Sequence, residues 1–413
     1  MSNLPTPLLP IDFRSQAFKR NPFPMLAQLR AAGPLVRVRL PLFGKVWLAT
    51  SYDAVNDVLR DHHRFVQSAA SGGNWFMSTI MRWLPRSLRP LGTNMLSRDP
   101  PDHRRLRSLV DQAFQRQSIE KLRPRLQQLA DQALVNFATE AQRSPRGVDL
   151  LAHFARPFPL AAICELLGLP PEDRPKFTQW AAGIGTTGSL FGIVRGMHGL
   201  TKLMHYLGEE IRRQSKQPRE GLIAALIQAE EAGDRLSHDE LLAMVFLILV
   251  AGHETTLHQI GLSVVTLLDH PQNLAELKND WRLAEPAAQE LLRYVSFAQF
   301  TKPRYAISNL EFHGQSIRRG EMVFACLASA NSDPSEFQSP EQLDFQRHPN
   351  RHVAFGTGIH FCLGAKLALV EIGIALEQLF TRFPDLRLAV PREELRYSAR
   401  PGSRVLLTLP VRT

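Results

Sequence analysis

Phe355-Gly356-Thr357-Gly358-Ile359-His360-Phe361-Cys362-Leu363-Gly364 is the stretch on which the fold of this chain turns. Three glycines at 356, 358 and 364 imply a tightly folded loop whose backbone lies close to another group. The segment after it, AKLALVEIGIALEQLF, has helical periodicity, so Cys362 is expected at a helix N-terminus. There the helix dipole and the free N–H groups favour a thiolate.

The chemistry that one such thiolate can support is narrow. With no second cysteine or His/Cys cluster nearby, it does not make a zinc site. It does suit the axial position of a haem, where a thiolate pushes electron density toward O–O cleavage and loop N–H groups tune the sulfur. The competing reading is a buried thiol after a glycine turn, since free cysteine is among the most buried residue types. Cys164 (LAAICELLG) and Cys326 (VFACLAS) lie in apolar stretches without that glycine pattern and read as core.

The ten residues resemble the haem-binding loop of the cytochrome P450 family, F-G-x-G-x-H-x-C-L-G in its bacterial members, with every fixed position matched. The resemblance implies haem b ligated by Cys362, with Phe355 and Gly356 in the cofactor loop. It also implies a mainly α fold with small peripheral β-sheets, a helical triangular prism around a buried haem.

Working outward, Ser237-His238-Asp239-Glu240 has the pattern of a capping box. The apolar run behind it continues to Asp269 and stops at His270-Pro271, which predicts a helix of roughly 48 Å at 1.5 Å per residue. Apolar nearly all round, its middle is expected to be buried. Ala251-Gly252-His253-Glu254-Thr255-Thr256 sits inside it. A mid-helix glycine costs about 0.5–1 kcal/mol against alanine, and the expectation is that Ala251 and Gly252 let a flat macrocycle approach the backbone. Thr255 can bond back to the carbonyl of Ala251 and open the helix there. A lone carboxylate such as Glu254 is expensive in an apolar stretch. The segment is similar to the family's A-G-x-[D/E]-T, which implies that Thr255 orients protons and Glu254 relays them from solvent.

Glu290 and Arg293 stand at i, i+3 on a predicted helix, a spacing shared by Glu120/Arg123, Glu209/Arg212, Glu210/Arg213 and Glu393/Arg396. Those four are expected to be surface pairs worth little. Glu290/Arg293, among apolar neighbours, matches the family's E-x-x-R structural pair. Asp99-Pro100-Pro101-Asp102-His103-Arg104-Arg105-Leu106-Arg107 resembles the D-P-P-x-H-x-x-x-R segment, which implies that His103 and Arg107 meet the haem propionates. Arg304 and His360 match the remaining propionate contacts. ANSDPSEFQSPEQLDFQR, ending at Arg347, is also similar to a family stretch, and the resemblance runs from about Asn21 to Val411. Val405 departs from a glycine common in bacterial members near the substrate.

Between these motifs, Val36–Leu40 and Lys45–Ala49 alternate as a hairpin, and SYDAVNDVLRD reads as a short helix capped by Ser51 or Asp53. β-type pieces return between Thr301 and Phe324, and RVLLTLPV closes as a strand. The 413 residues carry no linker or repeat and are expected to form a single domain, 1–413. Three cysteines argue for a reducing compartment. No signal-peptide layout opens the chain, and the longest clean apolar run, Leu241 to Gly252, falls short of the roughly 20 residues of a bilayer-spanning helix. The expectation is a cytoplasmic monomer without membrane anchor. A formal charge of +10 is compatible with nucleic acid, but no binding signature accompanies it. Arg104 and Arg105 are candidates for a basic face meeting an electron donor.

The resemblance implies a monooxygenase that uses O2 and two electrons from ferredoxin and ferredoxin reductase, or flavodoxin, on a lipophilic small molecule. The terpenoid, steroid, polyketide and fatty-acid classes all stay open. Trp75 and Phe76 belong to the family's variable lid, and Val250, Ala251, Thr255, Phe297, Ala298 and Phe300 line its pocket by position. Arg82, Arg86 and Arg89 are candidates for a carboxylate clamp, with solvated side chains as the plainer reading. A peroxygenase would replace the Glu254–Thr255 pair, and a haem carrier or sensor would not need it.

Overall fold

Alternation at period two puts Leu35, Trp47 and Ala49 on one face of a hairpin and Val36, Val38, Val46 and Leu48 on the other. The computed structural model, which describes residues 8–41, 43–68, 71, 94–116, 119–181, 190–231 and 233–413, pairs Leu35–Leu40 antiparallel with Gly44–Ala49. These two strands are second and third in a six-stranded sheet running Leu8–Leu9, Leu35–Leu40, Gly44–Ala49, Met322–Ala325, Arg304–Ala306, Phe65–Val66. One face packs on the helix Tyr52–Arg60 through Val55, Val58 and Leu59. The other packs on Phe13, Phe18, Leu26 and Leu29 of the N-terminal segment. Ser51 caps the Tyr52–Arg60 helix, its hydroxyl accepting from the Ala54 N–H at 3.3 Å.

The chain divides into two units. The first comprises Met1–Asn74, Leu126–Pro157 and Thr255–Thr413, and the second Trp75–Arg125 and Phe158–Glu254. Besides the sheet, the first holds the helix Ala284–Val295 against the closing helix Ala365–Arg382. A Cβ at Gly373 of the closing helix would lie 3.6 Å from that of Ala284, so the two run in close contact. A three-stranded sheet joins Arg387–Leu388, Pro410–Arg412 and Val148–Asp149. The second unit is helical, with Leu222–Gln228 laid on Asp102–Arg116. The helix His238–Asp269 carries the chain from the second unit into the first, as Ile119–Arg143 does earlier. Its capping box is formed: the Ser237 N–H donates to Glu240 Oε2 at 2.9 Å and the Glu240 N–H to Ser237 Oγ at 3.3 Å. It is long and apolar enough to cross a bilayer, yet Ala243, Met244, Val245, Val264 and Leu267 are fully buried within the protein.

The mainly helical fold with small sheets matches the sequence-based expectation, with three local corrections. Of RVLLTLPV only Pro410 and Val411 lie in a strand, Pro410–Arg412; before it Leu406 forms an isolated bridge with Tyr397, and Arg404 turns inward and donates to the carbonyls of Lys19 and Arg20, both at 2.6 Å. Glu210 is no surface group: it is buried and bound by Arg213 at 3.3 Å and Arg219 at 3.1 Å. Glu209 pairs with Arg213 rather than Arg212.

Gly221 opens Leu222–Gln228 with φ +148°, and a Cβ there would come within 2.6 Å of the Gly168 backbone. Gly44 has φ +73° but open space around its Cβ direction. Gly221→Ala therefore adds overpacking to backbone strain and is expected to destabilise the fold by about 2–4 kcal/mol. Gly44→Ala bears the backbone term alone, about 1 kcal/mol. Urea unfolding of the two variants beside wild type checks this order.

Candidate active site

The cysteine loop is fixed from behind by buried charge. Glu290 and Arg293 lie one turn apart on Ala284–Val295, both fully removed from water, with a 2.7 Å contact between Arg293 Nη2 and Glu290 Oε1. Arg293 Nε donates to Glu290 Oε2 at 2.8 Å. Its remaining N–H groups go to the backbone carbonyls of Asn331 and Pro340 at 2.9 Å and Gln342 at 3.1 Å. Glu290 also accepts from the Asp344 N–H (3.1 Å), from Arg347 Nε (3.1 Å) and from the Asn350 amide (3.0 Å). One ion pair thereby gathers the chain from Asn331 to Asn350.

From there the loop is threaded forward. Asn331 Oδ1 accepts from the Val353 N–H at 2.7 Å, the Gly356 N–H donates to the Val353 carbonyl at 2.8 Å, and the Cys362 N–H to the Phe355 carbonyl at 3.0 Å. Gly358, at φ +70°, lies so near the Tyr52–Arg60 helix that a Cβ would stand 2.7 Å from the Leu59 carbonyl oxygen. Arg60 Nε donates to Thr357 Oγ1 at 3.2 Å on the same flank. Gly356 (φ +69°) and Gly364 face open space instead. Cys362 is half-buried, two residues ahead of Gly364, the cap of Ala365–Arg382. It is a loop residue preceding the helix rather than its first turn.

The donor set fits one axial ligand. Among the described residues no group of three His, Cys, Asp or Glu side chains could hold a bare metal ion. Cys164 and Cys326 are fully buried, and burial pushes both thiols up to about 12, out of ligand chemistry at neutral pH. Cys362, on a loop with open space along two glycines, is the thiol placed for a flat group.

Comparison with known proteins agrees. The family model "Cytochrome P450" matches residues 190–395. The polyketide biosynthesis cytochrome P450 PksS of Bacillus subtilis (strain 168) is 38% identical over 95% of this chain and 96% of its own. The mycinamicin IV hydroxylase/epoxidase of Micromonospora griseorubida is 38% identical over 93% and 94%. The solved structure of PksS superposes with a TM-score of 0.87 at 36% identity, covering 97% of this chain and 99% of that one.

This chain belongs to the cytochrome P450 family. It is a haem-thiolate monooxygenase, and its cofactor is haem b.

Within this P450 the remaining candidate residues divide between the two units. Arg304 is buried at the start of its strand and His360 half-buried at the end of the turn Gly358–His360, both in the first unit. His103 and Arg107 lie one turn apart on Asp102–Arg116 of the second, His103 buried and Arg107 Nε shared with Asp111 at 2.9 and 3.0 Å. Along the long helix Ala251 and Thr255, four residues apart, are exposed while His253, Thr256 and Leu257 are buried. Glu254 and Val250 are half-buried.

Three of these residues have neighbours far along the chain. Gly252 serves packing: a Cβ there would stand 2.7 Å from the Ile163 side chain. Arg105 is spent on Asp234 (3.2 Å) and on Glu240, so of the proposed basic face only Arg104 is exposed. The Phe300 ring is buried and packs edge-on against Phe13 at 4.8 Å, while Phe297 stacks on His258 at 5.3 Å. Trp75 and Phe76, with Arg82, Arg86 and Arg89, lie outside the described residues.

The functional group that motif reading missed is the ring of partners around Glu290. Arg347 and Asn331 lie inside the quoted ANSDPSEFQSPEQLDFQR stretch but carried no assigned role, and Asn350 and His352 follow it. His352 stands within hydrogen-bond distance of Gln289 Oε1 through Nε2 (2.6 Å) and of the Ala354 N–H through Nδ1 (3.3 Å). Those partners assign a neutral ring that donates from Nε2 and accepts at Nδ1. Burial, and secondarily the Arg293 cation, push His352 down to about 4. An unfolded histidine titrates near about 6.5, so between those values the unfolded state binds more protons. Stability is therefore lost as pH falls from about 6.5 toward about 4. Urea midpoints across that range are expected to fall less steeply in His352→Gln than in wild type, and equal slopes would count against the assignment.

Proposed function

We propose that both units act as one domain that hydroxylates or epoxidises a lipophilic, polyketide-derived molecule in the cytoplasm, as a monomer. Ferredoxin and ferredoxin reductase, or flavodoxin, supply its electrons. The observation that carries this reading is Cys362 on a glycine loop anchored to a fully buried Glu290–Arg293 pair. The polyketide class is favoured over terpenoid, steroid and fatty acid by the relatives named for polyketide biosynthesis and for mycinamicin IV.

Haem b, when bound, supplies the iron at which dioxygen is reduced by two electrons. Cys362 Sγ holds it, with Phe355 and Gly356 alongside. His103, Arg107, Arg304 and His360 offer cations or N–H donors to its propionates. Thr255 presents Oγ1 on the long helix beside Ala251, where it accepts and passes a proton, and the Glu254 carboxylate relays protons to it from solvent. Val250, Phe297 and Ala298 line the substrate side, with Trp75 and Phe76 as their lid.

Turnover with a surrogate ferredoxin and reductase under air, against peroxide alone, tests the reading. Product is expected only with electrons and dioxygen. Thr255→Ala is expected to keep NADH consumption within about threefold while product per NADH falls roughly tenfold and hydrogen peroxide rises. Equal yields with peroxide alone would assign a peroxygenase instead.

A further inference from the structure

The short helix Gln16–Arg20 is an unusual place for a fully buried lysine. Lys19 is 0% exposed, and its ammonium has three acceptors: the Ser403 carbonyl at 2.6 Å, the Arg400 carbonyl at 2.9 Å and Gln299 Oε1 at 3.2 Å. These belong to two segments that pair with each other. Ala298 bridges Ser403, the Gln299 and Phe300 N–H groups both donate to the Gly402 carbonyl (2.9 and 3.2 Å), and the Arg404 N–H donates to the Phe297 carbonyl at 2.8 Å. The same helix holds the return turn at two further points. Gln16 exchanges hydrogen bonds with the Tyr397 backbone at 2.8 and 3.0 Å, and the carbonyls of Lys19 and Arg20 accept from Arg404. None of these contacts touches the cysteine loop.

We propose that Lys19 is a positioning residue for substrate recognition: its side chain ties the Phe297–Phe300 segment to the Arg400–Ser403 turn and so sets the shape of the substrate-side wall without touching substrate. The inference rests on the pocket reading given above for Phe297 and Ala298. Three acceptors match the three N–H groups of an ammonium, and a neutral amine has only two to give. Deprotonation therefore leaves one acceptor of the wall unsatisfied, and an unsatisfied buried acceptor is costly.

The clasp is also poised to titrate. The charged and titratable groups around it are Arg20 on its own helix, Tyr397, Arg400 and Arg404 on the return turn, and Asp12 ahead of the helix. Burial lowers Lys19 to about 7, with the Arg404 cation acting in the same direction and Asp12 opposing it. The ammonium, and with it the third bond, is present below about pH 7 and is lost above it.

Azole ligands separate wall shape from haem ligation, since imidazole needs only the iron whereas clotrimazole must also fit the wall. Their dissociation constants, read from the Soret shift and corrected for azole ionisation, give a size-selectivity ratio for the haem-loaded protein. The expected result is a Lys19→Met protein with imidazole affinity within twofold of wild type and a ratio changed about tenfold. The wild-type ratio is expected to drift toward the variant's as pH rises from 6 to 8.5, while the variant's stays flat. A ratio unchanged by the substitution overturns the proposal. If Lys19→Met fails to fold, the wild-type pH series decides, and a ratio flat across that range overturns it equally. Failure of imidazole to bind wild type would bring down the haem reading, and this inference with it.

Discussion

The interaction on which the site depends is the burial of Glu290 against Arg293. Two charges withdrawn from water are tolerable only when every lone pair and N–H finds a partner, and removing one member of such a pair costs about 3–5 kcal/mol. Here all five guanidinium N–H groups of Arg293 have acceptors, and Glu290 accepts from Arg293, Arg347, Asn350 and the Asp344 backbone. Satisfying them draws an otherwise irregular stretch of chain into one arrangement. The pair does no chemistry; it makes the position of a thiol several residues later a consequence of electrostatics.

That constraint reaches Cys362 through backbone hydrogen bonds and is closed from the other side by Gly358 against Leu59. The loop can then afford open space at Gly356 and Gly364, because its ends are fixed. The Lys19 clasp applies the same logic to the Phe297–Phe300 and Arg400–Ser403 segments, with a single cation satisfying oxygens from both, but its charge lies at the edge of titration.

Motif reading located the cysteine loop, the long helix with its Ser237 cap, the hairpin and the Glu290–Arg293 pair, because each has a local signature in residue type and spacing. What it misassigned depended on neighbours far along the chain. Gly252 looks like room for a cofactor until Ile163 is seen against it. Arg105 looks like surface charge, but Asp234 and Glu240 take it up. Lys19 has no sequence signal at all: a lysine in a five-residue helix reads as solvated, and only the return of the chain at Arg400–Arg404 supplies its acceptors.

The central claim, that Cys362 is the axial thiolate of a bound haem, is tested most directly by the carbon monoxide difference spectrum of the reduced protein. Wild type, Cys362→Ala and Cys164→Ala would be compared after expression with haem supplied. The account predicts the red-shifted Soret band of a thiolate-ligated haem in wild type and Cys164→Ala, and its loss in Cys362→Ala. A folded, haem-supplied wild type without that band, or a Cys362→Ala protein that keeps it, would contradict the account.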